Sequence, residues 1–454
     1  MKRIVLLWLV ASSVGIGYTA HAATRPRYGG ILRISVQAAP LSLDPSDPVM
    51  AGTHAGEQVS RALFDTLVSL DQFGMPQPSL ATHWESDPGG QRWRFSLRSG
   101  VRFGDDSLLT AEIAASSLRS ANPSWRVSVE NDEVVIETNL PVPDLLAQLA
   151  LARNGIAKRN GTVQGTGPFT IEEWQPGKRL SLIARENYWA GRAFLNSVVI
   201  MLGQSYRDQR LALELSKADV VELPPEQATR AVADGSRVES SRAMELIALV
   251  FAQEARSREE ARLRKLLASS LDRASMNSVL LQNSGEAANG LLPNWMTGYE
   301  FLFSADTSDS LANQAQAGSG PAIHWRLAYD ASDPTLRIIA ERVMLSARGV
   351  AIALDSSNGG AADLRLMQAP LNSLNAETAL RQLAERCELA KPALRGDVAA
   401  AAYTAESDLL ASGRVIPLVH SRLFYGLSKQ VRNWDKFGDA EWHLEDVWRE
   451  AAAP

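Results

Sequence analysis

Histidine, cysteine and adjacent carboxylates are the groups with which this chain could do chemistry. The histidines are His21, His54, His83, His324, His420 and His443. After His21, no two of them lie at the spacing that puts two imidazoles on one helix face to hold a metal. Cys387 is the only cysteine, so neither an intramolecular disulfide nor a cysteine zinc cluster can form. It reads as a small, half-buried residue in a helix. Asp105-Asp106 has the residue types of an acid–base pair, but beside Gly104 it reads more strongly as a solvated turn. Nucleophile-elbow, zinc-protease and phosphate-loop signatures are all missing. The expectation is no catalytic residue, no metal and no cofactor. An enzyme whose site is assembled from distant residues stays open.

The elements that would have to position any site follow from periodicity. Residues 31–36 and 93–98 alternate apolar and polar, as half-buried strands do. Residues 55–70 read as a helix with Val59, Leu63, Leu67 and Leu70 on one face. Thr110 is placed to cap a helix running to Arg119. Two alternating runs in 125–138 are split by Asn131-Asp132, a hairpin signal. Residues 143–152 read as a short helix. Strands at 169–171, 180–185 and 198–202, a helix at 207–216 and a strand at 218–221 argue for α/β layers. A long helix is expected over 259–281 and a polar surface loop over 304–320. Beyond it come strand 325–329, helix 334–349, strand 362–367, helices 376–390 and 397–412, and a buried apolar run at 416–419.

With 454 residues the chain is too long for a single hydrophobic core. Its 46 basic and 51 acidic side chains leave a net charge of -5, which supplies no basic face for nucleic acid. Lys2 and Arg3 precede a mostly apolar stretch over 4–18, and Ala20-His21-Ala22 has the small-x-small cleavage pattern. The apolar stretch is shorter than the roughly 20 residues a membrane span needs. Residues 1–22 are therefore expected to be a secretory signal, with a short membrane anchor as the alternative.

Several short segments, in one fixed order, resemble the family 5 extracellular solute-binding proteins. The opening Tyr28-Gly29-Gly30-Ile31-Leu32-Arg33 with Leu43-Asp44-Pro45 is similar to the family's start. Leu63-Phe64-Asp65-Thr66-Leu67-Val68 and Pro78-Ser79-Leu80-Ala81-Thr82-His83-Trp84-Glu85 resemble its next two landmarks. Trp93-Arg94-Phe95-Ser96-Leu97-Arg98-Ser99-Gly100-Val101-Arg102-Phe103-Gly104-Asp105 resembles its longest signature, and Leu109-Thr110-Ala111-Glu112 continues it. Gly165-Thr166-Gly167-Pro168-Phe169, Asn187-Tyr188-Trp189-Ala190-Gly191-Arg192, Arg262-Leu263-Arg264-Lys265-Leu266-Leu267 and Leu271-Asp272-Arg273 follow. Most of these are fold-determining positions, so the resemblance bears on fold more than on ligand. It departs at Gln368-Ala369-Pro370, where peptide-binding members carry a tryptophan and an aspartate that pairs with the peptide amino terminus. A neutral group there supplies no charge to an ammonium.

The resemblance implies an α/β, two-lobed periplasmic-binding-protein-like fold of type II, peptide-binder class, with a hinge and a reduced third subdomain. Lobe I would be 23–240, with the reduced subdomain about 45–160, lobe II 241–412, and 413–454 a return to lobe I. It implies a periplasmic monomer that captures a small organic ligand, a peptide among the options, and delivers it to an ABC permease in the inner membrane. A sensor or scaffold on the same fold is the alternative. Candidate cleft residues are Ser42, Thr53, His54 and Thr166 on lobe I, Trp295, Met367 and Gln368 on lobe II, and His420 and Tyr425 near the return crossover. Their hydroxyl, amide and aromatic groups offer contact area with polar handles.

Overall fold

The computed structural model describes residues 25–50, 52–306, 323–357, 362–394, 398–434, 438–439 and 441–450. The signal expected over 1–22 and most of the polar loop expected over 304–320 lie outside these residues. Glu300–Asp306, where that stretch begins, is a 3-10 turn.

Two strands organise the molecule. Arg237–Phe251 is 15 residues long, and Val415–Leu427 is 13. They pair antiparallel from Arg237↔Leu427 to Val250↔Val415. Over 243–251 the first is a near-continuous apolar run, and the second is one over 415–419, because there each is covered on two faces rather than one. Leu246, Ile247, Ala248, Leu249, Val250 and Phe251 are all buried, as are Ile416, Leu418 and Val419.

At one end this ribbon joins a sheet through Val220–Leu223, which pairs with Leu427 to Phe424. The sheet continues through Ile31–Ser35, Ser197–Met201, Arg179–Ala184 and Phe169–Gln175. Ile31–Ser35 is parallel to both of its neighbours. At the other end, Leu364–Pro370 pairs with Glu245 to Phe251, and Ile323–Ala328 and Ile352–Ser356 extend the sheet in parallel. Between these ends the ribbon slips register at Ser240/Ala243 and Ala243/Glu245. Such bulges bend and twist a strand locally. The result is two α/β lobes sharing one ribbon.

Each part has its own core. Leu32, Ile34, Val198, Ile200, Trp434 and Trp442 fill lobe I. Two clusters, one on either sheet face, fill lobe II. A four-stranded antiparallel sheet, Ala81–Ser86, Arg92–Leu97, Glu133–Glu137 and Arg126–Glu130, packs with helix Ala111–Ala121 around Phe95, Phe103, Leu118 and Ile136. Among the described residues no helix is long and apolar enough to cross a membrane.

Local chemistry sets the boundaries. Thr110 accepts from the Ile113 amide at 3.4 Å and starts its helix. Asn131 and Asp132 take φ of +50° and +64°, as a two-residue hairpin with a primed turn requires. The helix expected over 55–70 stops early, at His54–Leu63, and Val68–Leu70 is a strand. Phe64 is extended there, and Leu67 and Val68 leave lobe I to enter the core of the small subdomain. The helix expected over 259–281 breaks after Arg258–Ser270. Asp272 accepts from the Ser275 amide at 2.9 Å and caps a new turn, local bonding that competes with helix continuation.

Candidate functional site

Two cavities lie between the lobes. The first, of about 570 Å³, is walled by helix His54–Leu63, by residues of 64–79, by 371–374 from lobe II, and by 439–445. The second, of about 500 Å³, is walled by Gln37, Thr53, Tyr206 and Glu222 from lobe I and by Glu245, Asp333, Met367 and Gln368 from lobe II. His54, at the start of its helix, lines both.

The lobes touch along a seam beside these cavities. Asn372, just past strand Leu364–Pro370, donates its side-chain amide to Glu57 on helix His54–Leu63. Helix Ala376–Arg386 of lobe II seats on the small subdomain. There Thr378 donates to Asp144 at 3.1 Å, and Arg381 holds both carboxylate oxygens of Asp144 at 2.8 and 3.1 Å. Arg386 donates to the Gly52 carbonyl at 3.2 Å. Burial pushes the Glu57 carboxyl up to about 8, against the pull of the Arg61 and Arg386 charges.

Acid dominates the first cavity. Asp65 accepts from the Tyr188 hydroxyl at 2.8 Å and the Trp189 indole at 2.9 Å, and burial raises its carboxyl above the usual range. Asp439, Glu441 and His443 place ligand-type atoms within 4.8 Å of one another, the arrangement among the described residues that approaches metal-binding geometry. Burial pulls the His443 imidazole down, but Asp439, Glu445 and Glu441 outweigh it and push it up to about 10. With Arg61 at 3.0 Å from Glu441, the cluster is an ion-pair network.

In the second cavity, Glu245 accepts from the Gln368 amide and from Ser421 at 3.3 Å. Glu222 accepts from the Gln37 amide at 2.7 Å. Asp333 caps helix Pro334–Arg348 through the Thr335 and Leu336 amides at 2.7 and 2.9 Å.

The candidate residues divide by position. Thr53, His54, Met367, Gln368 and Tyr425 come together on the second cavity. Thr53 also caps its helix, accepting from the Gly56 amide at 3.2 Å. Ser42 shapes a turn, accepting from the Asp44 amide at 3.1 Å. Trp295 donates to the Ala243 carbonyl at 3.1 Å and packs against the lobe II core. Thr166 and His420 are fully buried, the latter 3.6 Å from Glu300. None of these last four lines either cavity. Sequence reasoning passes over Glu57, Asp65, Tyr206, Glu222, Glu245, Asp333 and Asn372. One signal is available, since Glu245 is the lone charge in the run Ala243-Met244-Glu245-Leu246-Ile247-Ala248-Leu249-Val250-Phe251.

Two α/β lobes bridged by a pair of strands, with cavities between them, define a clamp-type binding protein. The chain belongs to the bacterial extracellular solute-binding proteins, family 5, whose middle-region model matches residues 75–344. It is 29% identical over 190 residues to the uncharacterized protein YhjP of Bacillus subtilis, covering 38% of this chain and 32% of that protein. It is 22% identical over 293 residues to the probable D,D-dipeptide-binding periplasmic protein DdpA of Escherichia coli, covering 58% of this chain and 57% of that one. The match thus spans less than two thirds of either relative. In structure it is similar to the periplasmic binding protein DppA of Helicobacter pylori in complex with the peptide STSA. That likeness has a TM-score of 0.77 at 16% identity and covers 94% of this chain and 99% of the other.

Proposed function

We propose that this protein captures a small organic solute between its lobes, outside the cytoplasm, and presents it to an ABC permease in the inner membrane. The observation that carries the reading is the pair of cavities lying between lobes that share one two-strand ribbon. Such a ribbon lets two rigid cores swing with little rearrangement inside either one. Closure needs a guest that contacts both lobes, because only differential affinity shifts the equilibrium. His54 and Glu222 on one side, with Glu245 and Gln368 on the other, offer those contacts. The family description supports the extracytoplasmic setting, and residues 1–22 serve in this reading as a secretory signal. The lobes are assigned as 23–240, with the small subdomain about 45–160, then 241–412, then 413–454. The pivot falls in the two shared strands. The protein acts as a monomer without catalysis.

Native mass spectrometry of the protein as isolated tests this reading. A co-purified small molecule, lost on unfolding and regained on refolding in extract, is expected. Covalent labelling by a mechanism-based probe with turnover would replace capture with catalysis.

A further inference from the structure

The second cavity carries a charge imbalance that the chain leaves standing. Four carboxylates line it, three of them from separate elements: Glu222 on Val220–Leu223, Glu245 on Arg237–Phe251, and Asp333 at the start of Pro334–Arg348; the fourth, Asp330, accepts from Ser332 just before that helix. The hydrogen bonds the first three accept come from neutral donors, namely main-chain amides, Gln368 and Ser421. Among the described residues no arginine, lysine or histidine lies within ion-pair distance of any of the three. Arg422 lines the same cavity but is turned toward Glu286, at 3.6 Å.

Like charges gathered in a half-enclosed space repel, and burial adds to the cost unless a cation or a proton compensates. The effect is visible at Glu245, which burial pushes up to about 7, with Asp333 and Glu222 adding to the rise. Burial raises the Tyr206 phenol above its ordinary range, and the field of Glu222, Asp333, Glu245 and Glu226 adds to the rise. An aromatic face beside carboxylates is a surface that attracts an organic cation.

We propose that the second cavity receives the positively charged end of an organic solute, a primary ammonium or a guanidinium group, between Glu222, Glu245 and Asp333. The inference rests on the solute-capture reading and names the chemistry of its guest. The carboxylates lie on both lobes, so the same cation that neutralises them draws the lobes together. Gln368, which by itself carries no charge, takes part by holding the Glu245 carboxylate in place.

The test is calorimetric titration of the secreted chain, stripped of endogenous ligand, with agmatine and butylamine as cations, glutarate as anion and glucose as neutral control. Agmatine or butylamine is expected to bind, and glutarate and glucose to leave the protein unchanged. Glu245→Gln and Glu222→Gln should each weaken cation binding at least about tenfold, the worth of one charge-assisted hydrogen bond. Their melting temperatures should stay close to the parent's. If one variant fails to fold, the other carries the comparison. Equal cation affinity in a folded variant overturns the proposal. So does binding of glutarate or glucose in place of the cations, while leaving solute capture intact. No binding by any probe, together with no adduct in the native mass spectrum, overturns both.

Discussion

Glu57 is a carboxyl buried at the lobe seam, and burial pushes it up to about 8 against an ordinary 4.5. On the proposed clamp action, parting the lobes would return water to it and let it fall back toward that ordinary range. Between the two values the closed form keeps a proton that the open form has lost. Closure is therefore strongest below this window and weakens as pH rises through it. The Glu57 contribution alone should cost roughly tenfold or more in affinity between about pH 5 and about pH 8, since a tenfold difference in proton affinity is worth about 1.4 kcal/mol. It opposes the gain in cation binding as Glu245 loses its proton near 7, so it is read as the difference between the parent profile and that of Glu57→Gln, which keeps the contact to Asn372.

Cys387 gives a second check at this scale. It is fully buried, and burial pushes its thiol up to about 11. Alkylating reagents need the thiolate, so modification should wait for unfolding, read as labelling that tracks the denaturation curve. Sequence reasoning can place Thr110 at a helix start because capping is local. It cannot single out Glu57, because helix periodicity marks an apolar face without saying that a second lobe will cover the polar one.

Among elements, the ribbon is the least legible. The stretch Ile416–Val419 is readable from its apolar run, yet Arg237–Phe251 escapes sequence reading, although its last nine residues are apolar apart from Glu245. Continuous apolar runs do not separate a buried strand from a buried helix, and the polar first third of this strand carries no alternation. The small hairpin at Asn131-Asp132 is plain, since its turn chemistry sits in two residues.

The junction between helix His54–Leu63 and the strands around it depends on close backbone approach. A Cβ on Gly165 would stand 1.9 Å from the Leu63 carbonyl oxygen, so Gly165→Ala must displace main chain. A loss of about 1–3 kcal/mol, the usual scale of overpacking, is expected in chemical denaturation. At the seam, Asp144→Ala removes the two-pronged partner of Arg381 and the acceptor for Thr378. That should lower ligand affinity by about tenfold or more. A larger loss in affinity than in melting temperature would tie the contact to closure rather than to folding.

At the scale of the molecule, the two-lobed class of fold is readable because it is written in many short turn and strand segments that keep their order. The contents of the cleft are not, because cavity walls come from residues hundreds of positions apart. Glu57 and Asn372 are separated by 315 residues along the chain. What binds them into one device is the ribbon, whose bulges at Ser240–Glu245 lie where it passes from one lobe to the other. If the ribbon is a pivot, occupancy and shape must change together. Small-angle scattering of the protein as isolated, and again after its guest is stripped, reads that coupling. A larger radius of gyration in the stripped protein, reversed when the guest is returned, is the expected outcome. An unchanged radius despite loss of the guest by native mass spectrometry would mean that the lobes do not close on what they bind.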